Sequence, residues 1–160
     1  MIIISDTSCI TNLFHIDALQ LLPKLFGKIL IPQAVCNELL AFHKNTFTNQ
    51  LSANKIEVVQ VTDQECLQKA KYFKLDLGET EAIALALQLK NIALIIDEKA
   101  GKKAADKLGI KTVGLLGVIL LAKEYKHIES VKLLLDDLKS KTTFHFSDSL
   151  YTQIIKLAGE

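Results

Sequence analysis

Ile2-Ile3-Ile4-Ser5-Asp6-Thr7-Ser8 and Ile92-Ala93-Leu94-Ile95-Ile96-Asp97-Glu98 decide the fold. Each begins as a short apolar run without polar alternation, the pattern of a strand covered on both faces. Each run ends at an acid, and helical sequence follows. Asp6-Thr7-Ser8 is a group of helix-capping residues. After it, apolar residues recur at helical spacing through Ile10, Leu13, Phe14, Leu19, Leu22, Leu25 and Phe26.

Outward from these two stretches the alternation repeats. Lys28-Ile29-Leu30-Ile31 predicts a second strand, and Pro32 is well placed to open a helix carrying Val35, Cys36, Leu39 and Leu40 inward. Residues 43–55 are polar and carry no clear pattern. Ile56 to Val61 predicts a third strand, and Thr62-Asp63 caps a helix to about Phe73. Asp76-Leu77-Gly78 predicts a turn, and Glu79 to Lys90 a helix rich in Ala and Leu. A Lys-rich helix from Glu98 to Leu108, closed by Gly109, precedes a short strand at Lys111 to Val113. Helices are expected at 115–124 and 128–139, then an extra strand or turn and a last helix at about 148–158. Strands alternating with helices imply an α/β fold, with a parallel sheet of four to five strands and helices on both faces. Residues 1–160 suit a single domain, with Lys139 to Thr143 as the one candidate boundary and a C-terminal helical appendage from about residue 142.

Composition narrows the function. Hydrophobic residues make up 49% and charged residues 23%, which excludes a disordered chain or a fibre. The net charge is +1, so attraction to nucleic acid must come from a local patch. All 19 basic residues are Lys, and without the guanidinium fork a base-specific duplex reader is disfavoured. Cys9, Cys36 and Cys66 lack metal-ligand spacing and suit a reducing compartment. Asp6 interrupts any secretory signal, and the longest apolar stretch, Val113 to Ala122, is half of the roughly 20 residues that span a bilayer. No membrane association and a cytoplasmic location are expected. Aromatic residues are 6% with no Trp, and no stacking platform for single strands is evident.

The chemistry lies with the acids. Ligands of an open parallel sheet sit outside the carboxyl ends of its strands. Asp6, Asp97 and Glu98 end two strands there, while Glu38, Glu79 and Glu81 fall in helices that begin at the same rim. Singly, each has a plainer role: Asp6 and Asp97 as caps, Glu79 and Glu81 as complements of a helix dipole, Glu38 as a solvated residue. Together they are crowded carboxylates, which repel unless a cation neutralises them. An all-oxygen cluster suits Mg²⁺ or Mn²⁺ over Zn²⁺, and such ions promote displacement at phosphorus. Thr7 and Ser8 offer hydroxyls to the same site. Lys99, Lys102 and Lys103 begin a basic helix face beside Asp97, placed either to meet an RNA backbone or to be a solvated surface.

The motifs in this order resemble the PIN-domain family: a strand into Asp6-Thr7-Ser8, Glu38 after a Pro-initiated helix start, GETEAIALA at 78–86, and a strand into Asp97-Glu98. The GETEA helix and the IIDEKAGKK run are similar to a prokaryotic subgroup of that family. The resemblance implies a three-layer α/β/α sandwich and a Mg²⁺- or Mn²⁺-dependent endoribonuclease, often a homodimer and often the toxin paired with an antitoxin protein. It assigns the family's first, second and fourth acids to Asp6, Glu38 and Asp97. The third falls on Glu79 or Glu81, with Glu81 favoured because Ala82-Ile83-Ala84 follow it. Lys102 or Lys103 takes the subgroup's basic position. On this basis Asp6, Glu38, Glu81 and Asp97 are the expected catalytic set, with Glu79 and Glu98 as further metal ligands. Two rivals use the same residues: a PIN-like module that grips RNA or an antitoxin without cutting, and a phosphatase of small esters.

Overall fold

The structure is a computed structural model and describes residues 2–160. Its centre is β1 (Ile2–Ser5), in a five-stranded parallel sheet. On one side lie β2 (Lys28–Pro32) and β3 (Ile56–Val59), on the other β4 (Ala93–Ile95) and β5 (Thr112–Val113), in the order β3-β2-β1-β4-β5. Side chains alternate across a strand. Ile3, Ile29, Ile31 and Ile95 therefore enter one core, and Ile4, Leu30, Leu94 and Ile96 the other.

The first core is closed by α1 (Thr7–His15), α2 (Leu21–Phe26), α7 (Leu115–Glu124), α8 (Val131–Lys141) and α9 (Asp148–Leu157). The second is closed by α4 (Gln64–Lys71), α5 (Leu77–Leu89) and α6 (Lys99–Lys107). Ala82 to Ala86 of α5 are all buried, and the small side chains of Ala82, Ala84 and Ala86 help this helix lie close on β1, β2 and β4. The expected three-layer α/β/α arrangement is thus present.

Several boundaries differ from the sequence expectation. The helical pattern after Ser8 is two helices, because the chain turns at Asp17, whose φ of 54° is in the left-handed region that Asp tolerates. The polar stretch after residue 43 is helical, since α3 (Gln33–Ala53) continues through it. Phe47 supplies the anchor: it is fully buried, with its ring 5.9 Å from that of Phe14. The third strand stops at Val59, two residues early. No strand lies between α8 and α9 among the described residues; Phe144 and Phe146 instead pack on the first core. Ile154 of α9 is buried in the same core, and the Tyr151 hydroxyl donates to Asp136 at 2.7 Å. No helix among the described residues is long and apolar enough to cross a membrane.

Candidate active site

The chain leaves β1 toward β2 on one side, while β4 occupies the other. A crevice therefore opens at the carboxyl ends of β1 and β4. The Asp6 N–H donates to the Ile95 carbonyl at 3.0 Å, which sets the ends of the two strands side by side. Asp6 is also the N-cap of α1. Its carboxylate accepts from the Cys9 N–H at 3.0 Å and from the Ser8 hydroxyl at 3.0 Å.

These donors do not compensate for its burial. Asp6 is 3% exposed, and desolvation, with a smaller contribution from the charge of Asp97, pushes its pKa up to about 6. Glu79 is pushed up to about 7, by burial first and then by Asp76, Asp6 and Glu98. Between Asp6 and Asp97 sits the Cys9 thiol, 3.1 Å from an Asp97 oxygen. Burial and both carboxylates push this thiol up, so it remains a neutral S–H donor.

A cleft of about 390 Å³ opens over these residues, with five carboxylates on its walls: Asp6, Glu38, Asp76, Glu79 and Glu98. Glu38 accepts a short hydrogen bond from the Thr7 hydroxyl, across from α1 to α3. Three glycines make room for the acids. A Cβ on Gly78 would stand 2.8 Å from both Glu38 oxygens, one on Gly101 3.1 Å from Glu79, and one on Gly114 2.6 Å from Asp97. Glu98 is the N-cap residue of α6 but makes no capping bond there, which leaves its carboxylate to the cleft.

Of the residues expected from sequence, Asp6, Thr7, Ser8, Glu38, Glu79 and Glu98 meet at the cleft. Glu81 does not. Two residues along a helix is a rotation of about 200°, so Glu79 and Glu81 leave α5 on opposite sides. Glu81 instead accepts from the Ala34 N–H at 2.8 Å, at the start of α3. Of the two candidates for the third acid, Glu79 and not the favoured Glu81 therefore lines the cleft. Asp97 lies beside Asp6 through Cys9 but does not line the cleft. Its oxygens take the Leu115 N–H at 2.9 Å and the Lys102 ammonium at 3.4 Å. Lys102 is accordingly engaged by Asp97, while Lys99 and Lys103 are exposed on α6.

Asp76 was not expected in the site. It caps α5, accepting from the Glu79 N–H at 2.8 Å, and an Asp three residues before a Glu is the spacing of a capping pair. That spacing was available in Asp76-Leu77-Gly78-Glu79. These assignments separate two neighbours experimentally. Glu81→Ala should lower the thermal midpoint by removing a helix-start contact worth about 1 kcal/mol, with Mn²⁺ affinity unchanged. Glu79→Gln should do the reverse, weakening Mn²⁺ binding without loss of stability. Calorimetry and thermal melts on both variants check the pair.

The donor set fits a hard divalent cation: it is all oxygen, and two buried members resist ionisation without a counter-charge. Among the described residues, no three His, Cys, Asp or Glu side chains converge on one point at ligating distance. No curated protein matches the chain. A family model described as PIN domain matches residues 2–160, which is the whole of the sheet, both helical layers and every acid of the cleft. The chain belongs to the PIN-domain family.

Proposed function

We propose that this PIN domain is a Mg²⁺- or Mn²⁺-dependent endoribonuclease that hydrolyses RNA phosphodiester bonds, and that it is the toxin of a toxin–antitoxin pair. PIN domains are generally nucleases and generally use divalent metal ions. The observation that carries the reading is the five-carboxylate cleft, with Asp6 pushed to about 6 and Glu79 to about 7. Carboxylates in that state resist ionisation more than free ones, and a divalent cation supplies the counter-charge that favours their ionised form.

Asp6, Glu38, Glu79 and Glu98 would hold the ion. When bound, it supplies charge stabilisation at phosphorus and a lowered pKa for water. The chain's own residues position everything else. Thr7 fixes Glu38 and Ser8 fixes Asp6 by hydrogen bonds. Asp97 acts from behind, tying Cys9, Lys102 and the start of α7 to the Asp6 side of the site. Lys99 and Lys103, exposed on α6 after Glu98, would meet RNA phosphates. Homodimer formation is part of the proposal. Leu135 and Ile154 are buried in the core, so on α8 and α9 the large apolar side chains left for a second copy or an antitoxin are Leu133 and Leu157, 67% and 66% exposed.

Purified chain should cleave single-stranded RNA with Mn²⁺ and stop on addition of EDTA. Cleavage that survives EDTA would overturn the metal-dependent mechanism. A second reading is favoured by the engagement of Asp97 and the unconverged carboxylates: a module that binds RNA or an antitoxin without cutting. Calorimetry showing no Mn²⁺ binding, with RNA binding that weakens in salt, would select it.

A further inference from the structure

Among the described residues, no basic side chain lines the five-carboxylate cleft. A polyanion entering it meets repulsion, of which one divalent cation offsets only part. Beyond the lysines outside it, binding in the cleft gains from a contribution that does not depend on charge.

Phe42 offers one. Among the described residues it is the one large, solvent-exposed apolar side chain on the cleft wall, and it is 75% exposed. It follows Glu38 by four residues on α3, so the two share a face, and a helical side chain leans toward its N-terminal neighbours. The ring is therefore held next to a carboxylate of the proposed reaction centre. Asn12 of α1, also on the wall, adds an amide with both donors and an acceptor.

We infer that Phe42 stacks an unpaired nucleobase beside the scissile phosphate, with Asn12 meeting that base's polar edge. The inference rests on the nuclease reading and deepens it by naming a substrate-positioning residue, Phe42. A base inside a duplex has its faces stacked and its pairing edge occupied, and cannot offer either. Stacking on an aromatic ring is tolerant of base identity, so Phe42 supplies affinity and Asn12 supplies preference.

The test compares Phe42→Leu, which keeps apolar bulk without a π-face, with Phe42→Tyr, which keeps the ring. Phe42→Leu should raise KM for a single-stranded oligoribonucleotide about tenfold with kcat within about twofold, and Phe42→Tyr should restore KM. An oligoribonucleotide carrying 2-aminopurine, titrated in Ca²⁺, gives a readout independent of cleavage. Its emission should be quenched by wild-type chain and by Phe42→Tyr, and much less by Phe42→Leu at equal occupancy measured by anisotropy. Equal KM and equal quenching in wild type and Phe42→Leu would overturn the inference. So would unchanged RNA behaviour with an altered oligomeric state, which would make Phe42 a protein contact. Quenching that depends on Phe42 in a chain that never cleaves would uphold the stacking site and remove the nuclease reading. Absence of both binding and cleavage would remove both.

Discussion

Asp6→Asn is expected to lower RNA cleavage by about a thousandfold while the chain stays folded. The size follows from the role: removing one preorganised charged group at a reaction centre costs about 10²–10³ in rate, and Asp6 is in addition the most buried carboxylate of the cleft. The folding result follows from the local geometry. The Asn oxygen still accepts from the Cys9 N–H at the start of α1, and Asn is as good an N-cap as Asp. The Ser8 hydroxyl, which donates to Asp6, can turn to accept from the new amide. The substitution also removes a charge that burial disfavours, so the metal-free midpoint at pH 8 should hold or rise. Asp6→Ala is the contrasting variant. It should lose the same activity and also about 1 kcal/mol of stability, because the cap is gone. Cleavage assays and thermal melts on both variants check this. Asp6→Asn with wild-type cleavage would remove Asp6 from the mechanism, and with it the cleft as the reaction centre.

How far the sequence exposes this site depends on which physical effect places each residue. Asp6 and Asp97 are legible because strand ends are written in apolar runs, and the end of a parallel strand is where a ligand crevice lies. Glu38 follows from a Pro that opens its helix. The choice between Glu79 and Glu81 needed the helical phase of α5, and its apolar pattern could not supply one. Nearly every residue from Gly78 to Ala86 is buried, so no polar face marks the direction of the cleft. Asp76 was hidden because a capping acid and a site acid look alike in sequence. Phe42 was hidden for a different reason: it lies at the edge of a polar stretch, where an aromatic is as consistent with burial as with exposure. Its neighbour Phe47, four positions beyond His43 on the same helix, is fully buried. Only the packing of α3 on α1 separates the two. The second helical layer of the tail was legible as helices but not as core, since Ile154 and Leu135 meet the sheet layer only after the chain folds back.

In EDTA, the thermal midpoint should fall as pH rises from 5 to 8, and Mn²⁺ should restore it at pH 8. Both buried acids have folded pKa values above their unfolded ones: Asp6 about 6 against 3.8, Glu79 about 7 against 4.5. Between the unfolded and folded values the native state holds more protons than the unfolded state, so stability declines with pH across that window and levels off above about 7. For Asp6, whose window of about 2 pKa units lies half below pH 5, the loss from pH 5 to 8 is about 1–1.5 kcal/mol, or roughly 2–6 °C in a domain of this size. Glu79 adds in the same direction. Glu160 does not interfere: its carboxylate, held down to about 2 chiefly by the Val131 N–H, is ionised in both states above about pH 5.5. His43 opposes the trend, because burial and His15 lower its pKa, and its contribution rises as pH passes its unfolded value near 6.5. The variant Asp6→Asn/Glu79→Gln isolates the acids: it should lose the decline and keep only the small rise from His43. In wild type at pH 8, Mn²⁺ at a hundred times its Kd should return about 2.7 kcal/mol, and the double variant should gain almost none of it. A flat midpoint from pH 5 to 8 in EDTA, or equal Mn²⁺ stabilisation of both proteins, would mean that these two carboxylates neither resist ionisation nor hold the cation.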